Sequence, residues 1–130
     1  MQLNQKRKRR NKRRGATAIE FAIVAPIILV FALALLEWGR FEMIRQATST
    51  AAFNAARTGT LPGSTMTSTQ EVAEDILRIY FIGGSTTTTT FDEESTTVLV
   101  SVPVAENSFI LTRFFGDVVL EREFTLDVIN

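Results

Sequence analysis

FAIVAPIILVFALALL, residues Phe21 to Leu36, is apolar without interruption except for Pro26. From Ala16 to Leu36 the only charged residue is Glu20. As a helix, that stretch measures roughly 32 Å, against a hydrocarbon core of about 30 Å. The competing reading is a core helix of a soluble fold. A chain of 130 residues leaves too short a remainder to surround a helix that is apolar on every side, so a membrane span is expected.

The flanks give the span a direction. Lys6, Arg7, Lys8, Arg9, Arg10, Lys12, Arg13 and Arg14 precede it, 8 of the 14 basic residues in the chain. All 14 acidic residues follow Gly15; 6 Arg against 14 Asp and Glu leaves −8 over residues 16–130, which contain no Lys. The formal net charge of zero therefore hides a sharp asymmetry between the ends. A basic run directly before a span holds the N-terminus in the cytoplasm and sends the rest across. It also touches anionic headgroups, at about 1 kcal/mol per basic residue. That placement makes topology, and not nucleic acid, the simpler account of the run. The apolar stretch is too long for an ordinary secretory signal, and no small-x-small cleavage site follows it. Glu37-Trp38-Gly39-Arg40 mixes charge with an amphipathic aromatic, as suits a membrane interface. The span is expected to remain as an anchor.

Gly15 closes the basic leader, and Glu20 follows five residues later, just inside the apolar run. This arrangement resembles the processing site of type IV pilins, in which a membrane aspartic peptidase cuts after the glycine. The longer string RRGATAIEFAIVAPIILVFALALLEWGRF resembles the TadE-like family of tight-adherence (Flp, type IVb) minor pseudopilins. Arg13-Arg14-Gly15, Glu20-Phe21-Ala22, Pro26 and Glu37-Trp38-Gly39-Arg40 carry the likeness. It implies a leader, residues 1–15, removed by a prepilin peptidase between Gly15 and Ala16. It also implies that Glu20, fifth in the mature chain, serves assembly.

Physics adds to two of these residues. A carboxylate in an apolar span costs about 2.5 to 3.5 kcal/mol at mid-helix and less near an end, so it usually has a partner. Cleavage would create an α-amino group at Ala16, positive at neutral pH. That amine in one subunit and Glu20 of a neighbour would neutralise each other in a filament; alternatively Glu20 sits wet at headgroup level. Pro26 removes the N–H that would bond to Ala22 and crowds its carbonyl, which kinks the span. The bend is either no more than that or a segment able to stretch when a subunit leaves the bilayer.

Beyond the span (residues 16–38), Phe41, Ile44, Ala47, Ala51 and Ala55 recur at helical steps, extending the helix as a stalk over 39–58. A separate core helix fits the local pattern equally well; the lack of a strong breaker before Gly59 other than Gly39 favours continuity. Residues 58–68 read as a loop. Ser68 and Glu71 have capping-box spacing and predict a helix over about Thr69 to Phe81, with Val72, Ile76, Ile79 and Tyr80 on one face. Gly83-Gly84 should end it. Thr86 to Phe91, Val98 to Val104 and Val118 to Ile129 read as strands, the last with a possible bulge at Glu121-Arg122-Glu123. The order is α+β: a long transmembrane and stalk helix, a short helix and a small antiparallel sheet. Residues 59–130 would form an extracytoplasmic head.

No Cys or His occurs, so disulfides, thiolate nucleophiles, Cys/His metal sites and histidine relays are excluded. Glu71, Glu74 and Asp75, and Asp92-Glu93-Glu94, read as solvated surface; the second group matches no calcium-loop spacing. No catalytic site, metal or cofactor is expected, and the chain is read as no enzyme. The expected partners are the prepilin peptidase, other pilins or pseudopilins, the inner-membrane assembly platform and membrane lipid. The alternative is an uncleaved single-span anchor presenting an extracytoplasmic binding domain.

Overall fold

The computed structural model describes residues 3–109 and 116–128, with side-chain detail from Gly15 onward. Among the described residues, six elements follow one another: α1 (Leu3–Gly59), α2 (Met66–Ile79), β1 (Thr86–Phe91), β2 (Ser95–Pro103), α3 (Val104–Asn107) and β3 (Val119–Asp127). The fold is α+β, as the sequence order predicts. The chain divides into two compact units within α1, between Leu36 and Glu37.

In the first unit the apolar run is helical throughout, and Pro26 lies inside the helix. Its large side chains are exposed: Phe21, Phe31 and Leu35 each show about 70% of their surface. An 18-residue window of mean hydropathy 2.7 has none of its residues buried, so this helix is long and apolar enough to cross a membrane.

The second unit is built on a three-stranded antiparallel sheet in the order β1-β2-β3. The central strand alternates strictly: Thr96, Val98, Val100 and Val102 are buried, and the residues between them are half-buried. Against that face pack the C-terminal part of α1, through Ile44, Ala47, Ala51, Ala52, Ala55 and Ala56, and α2, through Ala73 and Leu77. Each buried valine contributes about 1.5 to 3 kcal/mol. The alanine stripe lets the helix backbone come close to the sheet, and Gly59 marks the tightest point. A β-carbon there would collide with the Thr96 side chain, so this position requires glycine for space.

α2 begins earlier than Ser68-Glu71 predicts. The N-cap is Thr65, whose hydroxyl accepts from Ser68 N–H at 3.2 Å while the Ser68 hydroxyl accepts from Thr65 N–H at 3.0 Å. Serine thus fills the position that glutamate takes in the usual box, three residues after the cap. The buried face is Thr69, Ala73 and Leu77 with Ile76 partly covered; Ile79 and Tyr80 are exposed, contrary to the predicted stripe. Thr69 and Thr89 hydroxyls meet at 2.9 Å and tie α2 to β1, which explains why a threonine occupies an inward position.

The helix also stops before Gly83-Gly84. Phe81 N–H donates to Arg78 C=O and Ile82 N–H to Leu77 C=O, each at 3.0 Å. That is a Schellman cap, with Leu77 and Ile82 buried as its apolar contact. The residue at its left-handed position is Phe81, φ 54°, where glycine would be free of strain.

β1 has the predicted bounds. β2 starts three residues before Val98 and ends at Pro103, where Val104 opens the short α3, which no sequence signal announced. β3 pairs without interruption from Ser95↔Asp127 to Pro103↔Val119, so there is no bulge. Arg122 simply takes an inward register position opposite Val100 and is half-buried. The predicted end of this strand at Ile129 lies outside the described residues. The outer face of the sheet carries cross-strand polar pairs, Thr97 with Thr125 at 2.9 Å and Ser101 with Glu121 at 3.3 Å.

Candidate functional site

Gly15, Ala16, Glu20 and Pro26 all lie on α1 in the first unit, and all are exposed. Ala16 and Glu20 are four residues apart and so share a helix face. A β-carbon at Gly15 would meet nothing within 4 Å, so no packing in this chain calls for glycine there. Any demand for the smallest residue at position 15 comes from outside the fold. Glu20 makes no ion pair among the described residues.

The exit motif behaves differently from its reading as interface residues. Trp38 is 70% exposed, but Glu37 and Arg40, one helical turn apart, are 3% and 7% exposed. Arg40 Nη1 donates to Tyr80 C=O at 3.0 Å, Nη2 to Phe81 C=O at 2.9 Å and Nε to Asn107 C=O at 2.9 Å. Its guanidinium also lies 5.2 Å from the centroid of the Phe109 ring, a cation–π distance. Glu37 Oε2 accepts from Phe109 N–H at 3.2 Å. Asn107 completes the cluster: its amide donates to Gly83 C=O and Pro103 C=O and accepts from Gly83 N–H.

The chemistry of this cluster is fastening. The last carbonyls of α2 have no partner within their own helix, and a cation at a helix C-terminus interacts favourably with its dipole. Arg40 supplies both, and so clamps the turn after α2 and the α3 turn onto the start of the second unit. The fork of five donors explains why arginine suits this position. The sequence contained the signal: arginine three residues after a glutamate, on the same face as Ile44 and Ala47. Composition alone cannot say that the fork is filled by carbonyls from residues 40 to 67 positions away.

The two acidic groups singled out in the sequence lie on the surface of the second unit. Glu71, Glu74 and Asp75 are exposed on α2, where Asp75 pairs with Arg78 at 3.6 Å. Asp92, Glu93 and Glu94 form the exposed turn between β1 and β2, closed by Asp92 N–H donating to Ser95 C=O at 2.8 Å. Among the described residues, no three His, Cys, Asp or Glu converge as metal ligands. Beside the Arg40 cluster, an open hollow lies between Arg40, Phe81, Asn107 and Phe109.

No curated protein and no solved structure matches the chain. The family model described as TadE-like protein matches residues 15–57, about a third of the chain. The match starts at Gly15, runs through Glu20, Pro26 and the Glu37–Arg40 motif, and stops two residues before the end of α1. It leaves the sheet and α2 uncovered. The matched stretch is thus the part of α1 that bears every candidate processing and assembly residue together with Arg40, and it is similar to the TadE-like model, as its motifs suggest.

Proposed function

We propose that this chain is a minor pseudopilin of a tight-adherence (Flp) pilus and secretion system, acting in pilus initiation or assembly and in adherence. The observation that carries the reading is the TadE-like match, which begins at Gly15 and contains Glu20 at the fifth position of the chain that cleavage would leave. A prepilin peptidase removes residues 1–15 on the cytoplasmic side. Residues 16–38 stay in the inner membrane as a single pass, residues 39–58 continue as the stalk, and residues 59–130 lie outside the cytoplasm. The role is structural and not catalytic, in keeping with the family.

Glu20 is the assembly residue in this reading. Exposed on an apolar helix, it neutralises the Ala16 amine of a neighbouring pilin when subunits pack together. Pro26 supplies local give in the span at that step. Breaking a buried charge pair costs about 3 to 5 kcal/mol, enough to stop assembly.

Mass spectrometry of the protein from its native membrane tests the processing step. A chain beginning at Ala16 is expected, and Gly15→Leu should block its appearance. An intact leader on most molecules, with an active peptidase present, points instead to an uncleaved anchor that presents a binding domain. Glu20→Leu tests assembly: it should insert and be cleaved, yet leave cells without surface pili. Normal piliation with that variant removes the role given to Glu20.

A further inference from the structure

The two edges of the sheet differ. β1 is closed by α2: Gln70 Nε2 donates to Thr87 C=O at 3.2 Å, and the Thr69 hydroxyl meets that of Thr89. β3 is the other edge. At its two ends, Val104 N–H donates to Val118 C=O at 2.9 Å and Val128 N–H to Glu94 C=O at 2.7 Å. With the uninterrupted register between them, these bonds assign the ladder to the even-numbered residues of β3. The N–H and C=O groups of Val119, Glu121, Glu123, Thr125 and Asp127 therefore point away from β2. Among the described residues, one bond reaches this row: Arg122 Nη1 donates to Glu121 C=O at 3.2 Å.

We infer that β3 is a docking edge that takes a fourth strand from a different chain. The fitting occupant is an extended segment with basic residues on its outward side and apolar residues on its inward side. All the groups involved belong to the second unit. The first support is the edge itself. A long edge is normally blunted by proline, lysine, a bulge or a covering element. β3 has nine residues, with no proline, no lysine and no bulge. The second support is apolar surface left half covered on the inward side. In β2, which is flanked by a strand on each side, Val98, Val100 and Val102 are 0% exposed. In β3 the inward residues Leu120, Phe124 and Leu126 are only partly buried. Phe53 of α1 meets the Phe124 ring edge-on at 5.8 Å, yet is 42% exposed. A strand beside β3 covers these residues as β3 covers the valines.

The third support is charge, which selects the occupant. Glu121, Glu123 and Asp127 are exposed on the outward side, and none is in an ion pair among the described residues. Arg122 lies on the inward side. This acidic row turns away a second copy. Antiparallel pairing of two β3 edges centred on position 123 sets Glu123 against Glu123. A shift of one step either way sets Glu121 against Glu123 or against Asp127. Like charges directly opposite destabilise a sheet, and opposite charges stabilise it. The complementary strand is therefore basic on its outward side. The chain's own basic run, residues 6–14, has no apolar residue to alternate with its charges, so it does not fit.

The test uses the full chain in neutral maltoside micelles and a fluorescent nine-residue peptide, blocked at both ends, in which lysine alternates with valine. Fluorescence anisotropy should show saturable binding. Amide hydrogen exchange should slow at Glu121, Glu123 and Thr125 and stay unchanged at the even-numbered residues of β3. Glu121→Gln combined with Glu123→Gln should weaken binding by about two- to thirtyfold. The same peptide methylated on its lysine amide nitrogens keeps every charge but cannot donate to the edge, and it should not bind. Equal binding of the methylated peptide shows attraction by charge alone and overturns strand addition. A peptide with glutamate in place of lysine that binds as tightly overturns the basic partner. Protection of the three amides that grows with protein concentration, without peptide, shows a second copy on the edge and overturns the assignment. Absence of binding by the lysine peptide, or binding that leaves those amides unprotected, overturns the docking edge.

Discussion

One helix, α1, contains two segments with the same backbone and opposite side-chain rules. Residues 16–36 carry Phe, Ile, Leu and Val on all sides, and these are exposed. Residues 44–56 place alanine at the contact positions, and these are fully covered. Along α1, Ile44 apart, it is the small apolar side chains and not the large ones that enter the core. Where the solvent for the helix is lipid, bulk is welcome on every face. Where the helix must approach a sheet, small residues set the distance, because protein interiors are close-packed and tolerate neither gaps nor overlap.

The strongest way to break this comparison is to separate the two segments from the sheet in turn. The core of the second unit takes six residues from α1, Ile44 through Ala56. A fragment spanning 37–130 should therefore melt cooperatively by circular dichroism, with mixed helix and sheet. A fragment spanning 59–130 should lose the transition altogether, since it removes those six residues and leaves only α2 over the buried face of β2. Cooperative melting of the shorter piece would mean that the alanine stripe covers the sheet without stabilising it.

Arg40 comes next in size. Arg40→Ala leaves the carbonyls of Tyr80, Phe81 and Asn107 without their donor, and each unsatisfied buried group costs about 1 to 3 kcal/mol. Urea denaturation of the 37–130 fragment should show a loss of about 3 kcal/mol or more, a large fraction of the roughly 5 to 15 kcal/mol that holds a domain folded. Arg40→Lys should recover only part of it, because an ammonium lacks the planar fork.

The contrast in side-chain size gives a smaller and cleaner effect. Ala51→Leu inserts three carbon atoms at a fully covered position and should destabilise the second unit by about 1 to 3 kcal/mol. The same change at Ala32, exposed on the span, should leave both membrane insertion and the melting of the second unit unaltered. Equal effects at the two positions would erase the distinction drawn between them. Smallest is the cap of α2: Thr65→Ala should cost about 1 kcal/mol and Glu71→Ala next to nothing. The reverse order would restore the box that the Ser68-Glu71 spacing predicts.

Several of these features were legible in the sequence for a local reason. The apolar helix shows in composition alone, its continuation to Gly59 in three- and four-residue steps, and β1 and β2 in their Thr and Val content. The cap of α2 was ambiguous because Thr65, Ser68 and Glu71 offer two overlapping boxes at the same spacing. The burial of Thr69 decides between them, through a hydroxyl contact with Thr89 twenty residues on. Ile79 and Tyr80 read as core because apolar residues near a helix face usually are. The helix turns that side away from the sheet, since Ala73 and Leu77 are the residues that reach the core cluster. Arg122 blurred the period of β3 because a charged residue in an inward register position mimics a bulge.

By itself the sequence determined an apolar helix after a basic run, the Gly15 and Glu20 spacing, and the α+β order of the remaining chain. Each depends on residues close together in the chain, where periodicity and charge act directly. Tertiary structure alone decided that Glu37 and Arg40 are buried, that Phe81 adopts a left-handed backbone at the end of α2, and that Gly59 must lack a side chain. These outcomes depend on groups 37 to 72 residues apart: Gly59 against Thr96, Arg40 on the carbonyls of Tyr80, Phe81 and Asn107, and Glu37 on the amide of Phe109. A buried charge is tolerable only when distant backbone satisfies it, and no local pattern records where that backbone will be.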